Sequence, residues 1–172
     1  LVSRAKPNSG HHALAELETL LPCLELITQN VDGLHQKAGT KNIIEFHGNI
    51  TRSKCLDRHT PIETAELGED KPPKCPCCGG LIRPDVVWFG EALNQVNLNL
   101  GFELAQRCDV FLSIGTSSQV YPAAGLIELA LEAEALTIEV NPNRTPVSGM
   151  VDFFLEGSAG DVLPALVAGI RG

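Results

Sequence analysis

The chain lacks any apolar run approaching the roughly 20 residues that cross a bilayer as a helix, and it shows no basic-then-apolar leader at its start. No membrane attachment is expected. Basic residues are too few for a surface that grips duplex nucleic acid: Lys and Arg number 13 against 21 acidic residues, for a net charge of −8 and a pI near 5.0. Direct nucleic-acid binding is therefore not expected either. No His-Glu-x-x-His motif occurs, which argues against a catalytic zinc of that kind. Internal repeats and low-complexity tracts are also missing. The first residue is Leu1 and not Met, so the reading expects a fragment or a processed product.

Enough apolar sequence is present for a core. Hydrophobic residues make up 44% of the 172 residues and charged ones 20%, which fits one folded domain. Of the six cysteines, Cys75, Cys77 and Cys78 crowd together, a spacing that suits a metal better than a disulfide framework. This usage points to the cytoplasm.

Along the chain, Leu14, Leu17, Leu20 and Leu21 recur on one face and predict a helix from about Ser9 to Leu21. Strands are expected at Leu24 to Thr28 and Ile43 to Phe46, with a short helix from Asp32 to Ala38 stopped by Gly39. From Thr51 to Pro73 apolar periodicity vanishes, and so long an irregular stretch implies that a metal holds it. Val86 to Phe89 reads as extended. A helix follows from about Leu93 to Arg107, weakened by Gly101, then a buried strand from Asp109 to Ile114. Ala123 to Ala133 predicts a helix, Leu136 to Val140 and Val151 to Leu155 strands, and Asp161 to Ala168 a closing helix. This alternation predicts an α/β fold, a Rossmann-like parallel sheet with helices on both faces. The expected division is a nucleotide-binding domain over residues 1–50 and 84–172, with a small zinc-binding module inserted over 51–83.

Chemistry-bearing residues gather where strands end. The stretch from Ile27 to Gly48 closes two apolar runs with Gln29-Asn30-Val31-Asp32 and with His47-Gly48, and open α/β sheets bind ligands at such ends. Gln29, Asn30 and Asp32 are candidates for lining a ligand pocket. His47 is the candidate base, since imidazole titrates near neutrality, and Gly48 would let a ligand approach it. His35 is read as structural, and His11, His12 and His59 as surface residues. Gly115, Thr116 and Ser117 follow a buried strand, Asn141 ends the next, and Ala159 sits at a third such junction. Each alone is ordinary turn chemistry; together they suggest one ligand edge. Cys75 and Cys78, followed by Gly79-Gly80, form half of a zinc knuckle, and Cys55 begins the other half. Arg58 stands where its second cysteine would be. Cys77, His59 or Asp57 remain candidates for the fourth ligand, against a ribbon held by packing alone.

Together these motifs resemble the sirtuins, the NAD-dependent protein-lysine deacylases. The resemblance rests on Thr28-Gln29-Asn30-Val31-Asp32-Gly33-Leu34-His35, Ala38-Gly39, His47-Gly48, the Cys55, Cys75 and Cys78 set, and Arg83-Pro84-Asp85-Val86-Val87-Trp88-Phe89-Gly90-Glu91. It is extended by Gly115-Thr116-Ser117-Ser118, Val120-Tyr121-Pro122 and Asn141. It implies that NAD is the cofactor and that structural zinc is bound. It makes His47 the catalytic base and assigns Asn30 and Asp32 to the nicotinamide-ribose and carboxamide. Gln29 becomes a ribose contact, and Gly115, Thr116, Ser117, Asn141 and Ala159 contacts of the adenosine half. Val87, Trp88, Phe89 and Gly90 resemble the segment that pairs with an acyl-lysine peptide, with Val120 beside it. The family opens with a Gly-Ala-Gly-x-Ser phosphate loop and a Pro-Thr-Phe-Arg segment, and nothing in Leu1 to Gly10 resembles these. The first βαβ unit is accordingly expected to be absent, and this chain alone to bind NAD poorly and to turn over little or not at all. Mono-ADP-ribosyl transfer from the same cofactor and a non-catalytic peptide-binding module are the alternative readings.

Overall fold

The computed structural model describes residues 4–57, 61–62 and 71–172. Helix α1 (Ser9–Leu20) begins at Asn8, whose side chain accepts from the His11 amide at 3.1 Å while its own amide donates to His11 Nδ1 at 3.3 Å. This reciprocal cap satisfies two amides that the first turn leaves free. Strand β1 (Leu26–Thr28) pairs in parallel with β2 (Ile43–Glu45), and the short helix α2 (Leu34–Ala38) lies between them in sequence. Strands β3 (Gly48–Cys55), β4 (Pro61–Ile62) and β5 (Ile82–Val86) form a separate antiparallel sheet in the order β4-β3-β5. Then come α3 (Gln95–Arg107), β6 (Val110–Ile114), α4 (Gly125–Glu132), β7 (Leu136–Asn141), β8 (Phe153–Glu156) and α5 (Ala159–Arg171). Strands β6, β7 and β8 are parallel and adjacent in that order.

Two apolar cores enclose the parallel strands. Ala13, Leu14 and Leu17 of α1 and Leu163 and Val167 of α5 pack with Leu26 of β1 and Val140 of β7. On the other face, Ala105 of α3 and Leu126 of α4 pack with Ile44 and Phe46, joined by Ile27 of β1 and Phe111 of β6. Successive residues Leu26 and Ile27 thus serve opposite layers, as strand alternation requires. The same helix layers cover both parallel sheets, which is the Rossmann-like arrangement expected.

Several local expectations are corrected. The parallel strands form two sheets and not one, because among the described residues β1 pairs only with β2, and β6 only with β7. Thr51 to Cys55 is not irregular; it completes β3, whose central residues are exposed and so carry no apolar alternation. The extended segment lies earlier than Val86 to Phe89, at Ile82–Val86. Gly101 does not weaken α3. A Cβ there would lie 2.5 Å from Phe46 Cζ, so glycine lets the helix close on the most buried aromatic ring of the core.

Helix α5 runs on past its expected end and contains Pro164. A proline there cannot donate to the Gly160 carbonyl. That carbonyl instead accepts from Ser9 Oγ of α1 at 2.6 Å, which turns a broken helical bond into an interhelix one.

Candidate active site and metal centre

His47 lies between β2 and β3, and the residues that follow β1 and β5 pin it. Its carbonyl accepts from the Val87 amide at 3.0 Å, and its Nδ1 is 2.9 Å from the Gln29 carbonyl. A carbonyl can only accept, so Nδ1 carries the proton and Nε2 is left with a free lone pair. Backbone packing requires glycine at position 48 (φ +78°): a Cβ would stand 2.1 Å from the Asp85 carbonyl oxygen on β5.

Around this turn Glu45 gathers three donors. Its Oε1 accepts from Gln36 Nε2 and Asn49 Nδ2, each at 2.6 Å, and its Oε2 pairs with Arg52 Nη2 at 2.6 Å. Arg52 also reaches Asp85 at 3.2 Å, so α2, β2, β3 and β5 are fastened together beside His47. The network was invisible in the sequence, because its members are dispersed and individually ordinary.

Asp32 Oδ1 accepts from the Leu34 amide at 2.9 Å and so starts α2, while Asn30 is exposed and its amide donates to Thr28 Oγ1. His35 on α2 packs against His11 of α1 with ring centroids 4.7 Å apart. His11 is thus half-buried and not a surface residue, whereas His12 is exposed. Burial pushes the pKa of both His11 and His35 down, against the opposing pull of the Asp32 carboxylate.

The end of β1 touches the end of β6 through Gln29 Nε2, which donates to Thr116 Oγ1 at 3.4 Å. Asn141 Nδ2 donates to the Thr116 carbonyl at 2.7 Å. These contacts border a cleft of about 270 Å³ lined by Gly115, Thr116, Ser117, Gln119, Asn141, Asn143, Arg144 and Thr145. The structure therefore brings Gly115, Thr116, Ser117 and Asn141 into one cleft with Gln29 at its border. It does not bring Ala159 there: the Ala159 carbonyl faces Gly10, where a Cβ would lie 2.8 Å from its oxygen. Gln119, Asn143, Arg144 and Thr145 were missed. The Asn-Pro-Asn run after β7 was the available signal for the last three.

Beyond β5, Trp88 and Phe89 stand out from the surface, Phe89 fully exposed at 102%. Glu91 anchors this turn, accepting from the Trp88 amide at 3.1 Å and from Arg83 Nη2 at 2.6 Å. The Arg83 guanidinium, foremost, holds the Glu91 carboxyl below its ordinary range. Val120 is also exposed.

In the antiparallel sheet, Cys55, Cys75 and Cys78 place their sulfurs within 4.8 Å of one another, with Cys55 Sγ and Cys78 Sγ 3.5 Å apart. That spacing is far too long for a disulfide and close to the roughly 3.8 Å separating two thiolates on one tetrahedral zinc. The Cys77 amide, foremost, draws the Cys75 thiol down to about 7. The Gly80 amide favours the Cys78 thiolate too, but the Cys55 and Cys75 sulfurs outweigh it and push that group up. Three crowded thiols competing for charge are the donor set that a divalent cation relieves. The structure does not bring Cys77 to the fourth position: its sulfur lies outside the cluster formed by the other three. Asp57 is not part of the cluster either, and Arg58 and His59 fall outside the described residues. Among the described residues no helix is long and apolar enough to cross a membrane.

Residues 1–122 match the Sir2 family. The chain is 48% identical over 176 aligned positions to the NAD-dependent protein deacylase of Pyrococcus furiosus, covering 99% of this chain and 70% of that protein. It superposes on a Sir2 homologue–NAD complex with a TM-score of 0.91 and 42% identity, covering 99% of this chain and 67% of the other. A Sir2 protein bound to an acetylated peptide is similar at TM-score 0.90 and 31% identity, covering 98% of this chain and 74% of that one. With the cleft, the pinned histidine and the thiol cluster in their places, the chain belongs to the Sir2 family.

Proposed function

We propose that this chain carries NAD-dependent protein-lysine deacylase chemistry, moving an acyl group from lysine to ADP-ribose with release of nicotinamide. The observation that carries the reading is the 2.9 Å contact of His47 Nδ1 with the Gln29 carbonyl. With Nδ1–H held by the Gln29 carbonyl, Nε2 is the nitrogen available as a base to take a proton from a ribose hydroxyl. NAD supplies the ribose carbon to which the acyl oxygen transfers. Gln29, Asn30 and Asp32 hold the nicotinamide-ribose side, and Gly115, Thr116, Ser117 and Asn141 the adenosine side.

Val87, Trp88, Phe89 and Gly90 receive the acyl-lysine peptide by strand addition, with Val120 flanking it. Exposure of Trp88, Phe89 and Val120 supports this, since each offers apolar surface that a peptide would cover. Cys55, Cys75 and Cys78 hold a structural zinc that braces residues 51–83 as a small module on a nucleotide-binding domain of 1–50 and 84–172. All six cysteines are unpaired, which suits a reducing cytoplasm.

The test is product analysis with labelled NAD at millimolar concentration and an acetyl-lysine peptide. O-acetyl-ADP-ribose is the expected product of the low turnover that weak NAD binding leaves to the parent chain, with His47→Ala reducing it at least about 100-fold, the usual scale for loss of a general base. Label transferred to protein would favour mono-ADP-ribosyl transfer. Peptide binding without turnover, unchanged in His47→Ala, would leave only a binding module.

A further inference from the structure

The connection from β7 to β8, residues 142–152, forms one wall of the cleft through Asn143, Arg144 and Thr145, and it is fastened to β7 at two places. Near the cleft, Glu139 is wholly buried, yet no cation pairs with it among the described residues. Its Oε1 accepts from Thr145 Oγ1 at 2.6 Å and its Oε2 from Ser148 Oγ at 2.5 Å. Each hydroxyl oxygen is itself an acceptor: Thr145 Oγ1 from the Val147 amide at 3.3 Å, and Ser148 Oγ from the Thr145 amide at 2.7 Å. The hydroxyl protons therefore both point to Glu139. Far from the cleft, at the other end of β7, Asp152 accepts from the Thr137 amide and hydroxyl at 2.8 and 2.9 Å.

The two latches resemble each other chemically and differ in what they hold. Thr137 is the second residue of the strand, and among the described residues its hydroxyl bonds Asp152 and no residue of the cleft. Glu139 lies two residues before Asn141, whose side chain reaches both the Thr116 carbonyl and the Asn143 amide. Strand alternation puts Glu139 and Asn141 on one face of β7, so the buried carboxylate and the cleft asparagine brace the same loop from below and from its start. An ordinary loop would leave Asn143, Arg144 and Thr145 free to sample many positions, at an entropic cost when a ligand fixed them.

The geometry points to Glu139 as the positioning residue of the nucleotide cleft: it pre-sets the wall formed by Asn143, Arg144 and Thr145 without touching the ligand. This rests on the reading above that the cleft takes the adenosine half of NAD. Replacing Glu139 by Gln keeps its shape but leaves one hydroxyl proton without an acceptor, and Ser148→Ala removes one strut from the loop side.

Adenosine 5′-monophosphate, titrated against the 172-residue chain and followed through the Gly115 and Asn143 amide resonances, tests this directly. Glu139→Gln and Ser148→Ala are expected to weaken binding about five- to tenfold, the effect of one buried hydrogen bond lost. Thr137→Val is expected to lower the melting temperature while leaving the affinity within about twofold of the parent. Equal affinity in the parent, Glu139→Gln and Ser148→Ala would overturn the proposal alone. Weakening by Thr137→Val as large as that by Glu139→Gln would also overturn it, by showing a merely structural role. If the parent chain does not bind the nucleotide at all, the assignment of the cleft fails first and this proposal fails with it.

Discussion

A methyl group at residue 48 would stand 2.1 Å from the Asp85 carbonyl oxygen, in a backbone conformation that side chains rarely adopt. The clash is with backbone and cannot be relieved by a rotamer change. Gly48→Ala is therefore expected to cost about 1–3 kcal/mol of stability, read as a lower denaturant midpoint. It should also loosen His47, because the Gly48 and Val86 pairing and the Val87 amide together hold the histidine backbone. At this scale chemistry follows from two carbonyl contacts. One fixes which nitrogen of His47 carries its proton, and the other fixes where its backbone can sit.

Among the elements, β7 does the most positioning. Its first residues anchor the far end of the following loop, its middle carries the buried Glu139, and its last residue enters the cleft. The Thr137 amide, foremost, and then its hydroxyl hold the Asp152 carboxyl below its ordinary value. A carboxyl whose pKa is lower in the folded chain stabilises the fold above its unfolded pKa of about 4 and loses that contribution as pH falls through the folded value. Asp152→Asn is thus expected to be less stable than the parent at pH 7. The gap should narrow in acid, so that urea midpoints measured from pH 6 down to pH 2.5 converge. A constant gap across that range would mean that Asp152 acts by shape alone.

For the molecule as a whole, the controlling fact is that two helix layers enclose two parallel sheets. Among the described residues, strands β1 and β6 each have one hydrogen-bonded neighbour, and a side-chain contact from Gln29 to Thr116 joins their ends. No Gly-Ala-Gly-x-Ser turn occurs in the 172 residues to offer backbone amides to a pyrophosphate. On the reading proposed above, in which this chain grips NAD at its nicotinamide and adenosine sides, it is expected to hold NAD weakly, with a Kd in the hundreds of micromolar or above. Isothermal titration giving a Kd near one micromolar would contradict this.

Sequence alone determined the α/β class and most of the helices and strands, because hydrophobic period and capping residues are local properties. It also placed His47, Gln29 and Asn141 at strand ends and selected Cys55, Cys75 and Cys78, whose short spacings carry their own chemistry. Tertiary structure decided what depends on residues far apart in the chain. The proton of His47 sits on Nδ1 because a carbonyl 18 positions away requires it. Gly101 serves Phe46, the Gly160 carbonyl is answered by Ser9, and Arg52 joins Glu45 to Asp85 across three strands. Cys77 falls outside the sulfur cluster, and the Ala159 carbonyl packs on Gly10, contacts that only the folded chain shows. Spacing decides which residues are near in sequence; only packing decides which atoms meet.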